Sequence, residues 1–263
     1  MPDESRVFSA LLRYWRTRRG LSQLDLALAA DISARHISFL ETGRSRPSEG
    51  MVLLLAATLD VPLRERNVML REAGYAPAFD EPGLGSLSEG VRHALSVLLR
   101  QHEPYPMMIL DRGYDVLDMN GPGRALATLM GAEGATRWNA VRALFDPAGA
   151  RRYLTNWESV AREFVARLQR ESLRAPHNDR LRQLLDEILD RPDVPDDWRT
   201  PDLALGAEGA LTLHVDLGGT TLAFVTTMMG FHAPQNVTLD EVQVESYVPL
   251  DEATAEACAR LFT

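Results

Sequence analysis

Apolar residues recur at helical spacing from Arg6 to Arg19, with Val7, Leu11, Leu12 and Trp15 on one face and Gly20 ending the run. A second run begins at Ser22, a residue suited to capping the first orphan N–H groups of a helix, and places Leu24, Ala27 and Leu28 on one face. The pattern breaks at Ala30-Asp31-Ile32, where Ile32 can plug a corner. It resumes at Ser33 with Ile37 and Leu40 facing inward and Ala34, Arg35, His36 and Phe39 outward. Gly43 lies just past the end of that run, where a left-handed residue is favoured, and Pro47 stops further helix. Ser48 opens a fourth helix with Met51, Leu54, Leu55 and Thr58 as its packing face, and Pro62 opens a fifth that ends before Gly74.

Beyond Pro77, Pro82, Gly83 and Gly85 the period is mixed. Ser86-Leu87-Ser88-Glu89 reads as a capping box opening a helix to Gln101. Met107–Asp111 and Tyr114–Asn120 around Arg112-Gly113 predict a hairpin. Helices follow at Pro122–Met130, Ala140–Phe145, Asn156–Glu171 and Asp179–Asp190. Strict alternation then takes over at Leu211–Leu217, Leu222–Met228 and Val242–Val248, predicting three half-buried, antiparallel strands, and Asp251 caps a last helix. The expected fold is an all-α N-terminal helix-turn-helix bundle followed by an α+β domain with an antiparallel sheet. The expected boundaries are 1–76 for the bundle, 77–87 for a linker and 88–263 for the second domain.

Two short helices joined by about four residues, the second opening with small, polar and basic side chains, form a groove-reading arrangement. The net charge of -9 opposes DNA binding only if charge is averaged over the chain. Residues 1–79 hold 11 Arg against 9 acids, +2, and the remainder holds 17 against 28, -11. The acidic part repels misoriented DNA and the basic part attracts it. Lone Cys258 excludes an intramolecular disulfide and fits a reducing, cytoplasmic setting. No apolar run reaches membrane-spanning length, so no membrane association is expected.

The first stretch resembles the Cro/C1 (XRE) family of helix-turn-helix, lambda-repressor-like regulators. The matching residues are Ser22-Gln23, Ala27, Ile32-Ser33, Ile37, Leu40-Glu41, Gly43-Arg44 and Arg46-Pro47-Ser48. The resemblance implies that Gln23 contacts phosphate. It also implies that Ser33, Ala34, Arg35 and His36, with Phe39 one turn on, lie at base edges, and that Arg16 pairs with Glu41. Arg35 suits guanine, which Arg can bind through O6 and N7 together, and Arg44 and Arg46 suit phosphate. The segments HEPYPMMILDRGYDVLDMN, LFDP, TNWESVAREFVARL and VESYVPLDEATA resemble the MmyB-like ligand-binding domain over residues 88–262. That likeness implies a PAS-like fold and a pocket for a small apolar, fatty-acid-like effector. Met108, Leu110, Trp157, Phe224 and Met228 are its candidate lining.

Other chemistry is weak. Asp216-Leu217-Gly218-Gly219-Thr220 resembles a sugar-kinase phosphate loop, but a Gly-Gly hairpin turn accounts for it and the chain after Thr220 is too short for a nucleotide-binding half. The six His show no i, i+4 metal pair, so no metal is expected. No Ser/His/Asp or Cys/His arrangement marks a nucleophile, so neither catalysis nor a catalytic cofactor is expected. The sequence therefore predicts a homodimeric, double-stranded-DNA-binding transcription regulator, a repressor before an activator, with a ligand-sensing domain. The rival is an antitoxin-like DNA-binding protein whose second domain grips a protein partner.

Overall fold

A computed structural model of the chain describes residues 4–132, 138–201 and 211–262. It divides into two compact units, Met1–Glu81 with Pro234–Asp240, and Pro82–Ala233 with Glu241–Thr263.

The first unit contains α1 (Glu4–Arg18), α2 (Gln23–Ala29), α3 (Ala34–Glu41), α4 (Glu49–Thr58) and α5 (Leu63–Glu72). Each boundary has a local cause. The Ser22 hydroxyl accepts from Asp25 N at 3.1 Å and the Asp25 carboxylate accepts from Ser22 N at 2.8 Å, a capping box with Asp in the reciprocal position. Ser33 and Ser48 cap α3 and α4 in the same way, accepting from His36 N and Met51 N. Gly43 takes φ 70°, which ends α3 without a Cβ penalty. Phe8, Leu12, Trp15, Leu26, Ile37, Leu40, Leu55 and Met69 fill the core.

Three expected helix faces are corrected. In α1, Phe8 is buried and Val7 is 42% exposed. In α2, Leu26 and Ala27 are buried, while Leu24 and Leu28 are 58% and 72% exposed. In α4, Val52, Leu55 and Ala56 face the core and Leu54 turns outward. Each run contains apolar residues on more than one face, so spacing identifies the helix but not which side the neighbours cover.

The second unit opens with α6 (Glu89–Gln101), capped by Ser88 alone, its hydroxyl accepting from Val91 N. Ser86 instead ends a short 3₁₀ turn at Leu84–Ser86, so the expected capping box there does not form. Then follow β1 (Met107–Leu110), β2 (Val116–Met119), α7 (Gly121–Leu129), α8 (Ala140–Phe145), α9 (Trp157–Arg174) and α10 (Asp179–Leu189). Strands β3 (Thr212–Asp216) and β4 (Thr221–Gly230), the short α11 (Val237–Glu241), β5 (Gln243–Pro249) and α12 (Glu252–Leu261) complete it.

The strands form one five-stranded antiparallel sheet in the order β2-β1-β5-β4-β3, an α+β, PAS-like arrangement. The β3–β4 turn is the Asp216–Thr220 segment, with Gly218 and Gly219 at φ 75° and 107° and Gly219 N donating to the Asp216 carboxylate. Leu95 and Leu99 of α6 cover one sheet face over Met107, Ile109, Val242 and Val244. The helical block covers the other over Met108, Leu110, Leu213, Val215 and Phe224. The middle of β5 is therefore buried on both sides rather than half-buried as its alternation predicts.

Residues 234–240 leave the sheet between β4 and β5 and pack with the N-terminal unit. Val237 is fully buried, its N–H donating to Asp80 O at 2.9 Å. The Asp240 carboxylate accepts from Leu63 N at 3.1 Å. Helix α5 has Pro62 at its N-cap and no side-chain cap of its own, so Asp240 supplies an acceptor that the local sequence lacks. No helix among the described residues is long and apolar enough to cross a membrane.

Candidate DNA interface and effector pocket

The geometry of α3 begins with a buried ion pair. Arg16 Nε reaches Glu41 Oε1 at 2.5 Å and Nη2 reaches Oε2 at 3.0 Å, with the two side chains 10% and 3% exposed. A third donor, Nη1, meets Leu21 O at 2.7 Å. Arg16 thus ties the end of α1 and the following loop to the last residue of α3. The fork of the guanidinium matches a carboxylate in two places at once, which fixes direction as well as distance. Gln23 Nε2 also donates to Glu41 Oε2 at 2.7 Å, and the Ser9 hydroxyl donates to Leu40 O at 2.6 Å. Burial pushes the Glu41 carboxyl up, but its bonds to Arg16 and Gln23 outweigh this and hold it below the ordinary range.

From that anchored end α3 runs back to an open start. Ser33 and Arg35 are exposed, Ala34, His36 and Phe39 are half-buried, and the Arg35 guanidinium lies 5.1 Å from the Phe39 ring centroid. An Arg laid on an aromatic face keeps its donors while losing some conformational freedom. Arg44 and Arg46 follow on the exposed turn after α3. Arg46 has a structural task as well: Nη2 donates to Ala73 O at 3.2 Å at the end of α5, and its guanidinium lies 5.9 Å from the Tyr75 ring centroid. The Tyr75 hydroxyl in turn donates to Pro47 O at 2.9 Å. Gln23, expected at phosphate, spends one amide N–H on Glu41 and sits half-buried at the start of α2.

In the second unit a cavity of about 60 Å³ lies between the sheet and the helical block. Met108, Leu213, Val215, Phe224, Glu245 and Tyr247 form its sheet side, and Met130 and Trp138 contribute to the other. A water molecule takes roughly 30 Å³ of liquid and drug-sized pockets are several hundred. The cavity as it stands is closed down, and a larger occupant has to displace side chains. Met108 and Met130, flexible and polarisable, are the wall residues that repack most readily. Of the expected lining, Met108 and Phe224 face the cavity, and Leu110, Trp157 and Met228 do not border it. Leu110 is fully buried in the core, and Met228 packs partly buried against it. Trp157 opens α9, donates from its indole to Leu144 O at 2.8 Å and stacks under Arg151 at 3.6 Å.

The sequence model of the MmyB-like transcription regulator ligand binding domain matches residues 91–261. The chain belongs to the MmyB-like regulator family. A helix-turn-helix family model matches residues 12–66 of this MmyB-like regulator. Among curated proteins, none shows significant similarity to it. The MmyB-like chain is therefore a DNA-binding transcription regulator carrying a ligand-binding domain.

Sequence reasoning missed the polar groups beside the cavity of this MmyB-like protein. Glu245 is 2% exposed and is hydrogen-bonded to Tyr247. Burial lifts its carboxyl to about 7, against the pull of Arg167 and Tyr247. Arg167 of α9 also faces Glu171 and Tyr114, whose hydroxyl donates to Glu171 Oε2 at 3.0 Å. The alternation Val242, Val244, Ser246, Val248 assigns Glu245 and Tyr247 to the solvent side. Only the placement of β5 between β1 and β4, with helices on the far face, puts them inside. An acid on a strand that ends up central was the available signal.

Proposed function

We propose that this regulator is a homodimeric repressor. Its α3 helices read two half-sites about one helical turn of DNA apart, and its second domain binds a small effector in the cavity on Met108, Phe224 and Glu245. The observation that carries the DNA reading is the exposed Ser33–His36 start of α3, held at its far end by the Arg16–Glu41 pair. Arg35 contacts a base edge. Ser33, Ala34, His36 and Phe39 shape the surface around it, and Gln23, Arg44 and Arg46 meet the phosphates. Two half-sites require two copies of α3, which is the reason for the dimer.

The effector reading is supported by an apolar enclosure with two polar groups at one place, the usual build of a small-molecule site. An effector shifts the protein only through a difference in affinity between two arrangements. The cavity strands β4 and β5 are joined by the segment that packs with the DNA-binding unit, so a change in their spacing is carried along the chain itself.

Selection of bound duplexes from a random pool, followed by footprinting, tests the proposal. Recovery of a two-fold sequence with protected blocks about one turn apart supports it. Recovery of no common sequence, or of a single unpaired half-site, overturns it.

A further inference from the structure

Glu245 is the charged residue on the cavity wall among the described residues; neither Arg nor His borders it. It lies on the strand between β1 and β4, so its carboxyl has no sheet edge through which to reach water. The nearby guanidinium is Arg167, and it faces two carboxyls, Glu245 and Glu171. Arg112 and Arg174 bear on Glu171 rather than on Glu245. The positive charge around the cavity is thus matched to the protein's own acids. A carboxylate brought in by a ligand would be desolvated beside Glu245 without a cation to meet it, the costliest way to bury a charge. A hydroxyl or amide N–H brought to the same place finds an acceptor.

We infer that the cavity selects an apolar molecule with a hydrogen-bond-donating head, an alcohol or amide, and rejects the carboxylate of the same chain length. The inference rests on the reading of the cavity as the effector site. Glu245 and Tyr247 accept and orient the head, and the aliphatic part spreads the walls at Met108 and Met130.

Isothermal titration of the full chain at about pH 8, where heptanoate is ionised, tests this with three probes: heptan-1-ol, heptanoate and benzene. The expected result is that heptan-1-ol binds at least about tenfold more tightly than heptanoate. In Glu245→Gln that preference shrinks, because the charge that rejects the carboxylate is gone and an acceptor remains. Tyr247→Phe lowers the affinity for heptan-1-ol and leaves benzene binding in place, which keeps the test intact where Glu245→Gln fails to fold. Equal binding of heptanoate and heptan-1-ol overturns the head-group assignment. So does benzene binding with no advantage to the alcohol, although the pocket then stands. Binding of none of the three overturns the pocket reading itself.

Discussion

Arg35 and Arg44 differ in what surrounds them, and the difference predicts different losses. Arg35 stands at the open start of α3, braced on Phe39. Its replacement by Ala is expected to cost about 1–3 kcal/mol at one operator position and to flatten sequence preference there. Arg44 is exposed on the turn and carries no base-reading geometry, so Arg44→Ala weakens all duplexes alike. Titrating both variants against operator and random duplex checks this; equal loss on both duplexes for Arg35→Ala removes it from the base-reading set. Arg46 is the poorer probe of phosphate contact, because its guanidinium also closes the end of α5 on Ala73 and Tyr75. Motif spacing made Arg35, Arg44 and Arg46 visible in the sequence. The double duty of Arg46 was not visible, since its partners lie 27 and more residues away in the chain.

At the scale of elements, the existence and order of helices and strands were legible, and the faces they bury were not. Serine caps at 22, 33, 48 and 88 mark helix starts because capping is a local bond. The burial of Leu26 in place of Leu24, and of Glu245 in place of solvent, depends on what packs from elsewhere. The two buried acids then behave oppositely with pH. Glu41 sits below its ordinary value, so its contribution is present above the unfolded value of about 4.3 and is lost as pH falls through the folded one. Glu245, raised to about 7, does the reverse: its contribution is full below the unfolded value and disappears as pH rises through about 7. Urea midpoints of the wild type and Glu245→Gln across that range are expected to converge at low pH with the variant's curve flatter near neutrality. Parallel curves would place Glu245 in a solvated setting. Glu41→Ala leaves Arg16 buried without its partner and is expected to cost about 3–5 kcal/mol in the N-terminal unit, read as a lower denaturation midpoint.

For the whole molecule, the decisive feature is that a single chain passes from the cavity strands into the DNA-binding unit and back. Asp240 completes the start of α5 from a position 177 residues further along the chain, and Val237 is buried beside it. Asp240→Ala removes an acceptor at a helix start, worth about 0.5–2 kcal/mol to that unit. The side chain lies outside the cavity wall, so affinity for heptan-1-ol is expected to hold. What changes is the link: the ratio of operator affinities with and without saturating heptan-1-ol moves toward one in the variant, because β4 and β5 can shift without pulling on α5. Fluorescence anisotropy of labelled operator, run with both proteins at one salt concentration, reads that ratio directly. An unchanged ratio in a folded Asp240→Ala protein would mean that the effector acts by another route, such as the pairing of two copies. A ratio of one already in the wild type would mean that the cavity ligand leaves operator affinity unchanged.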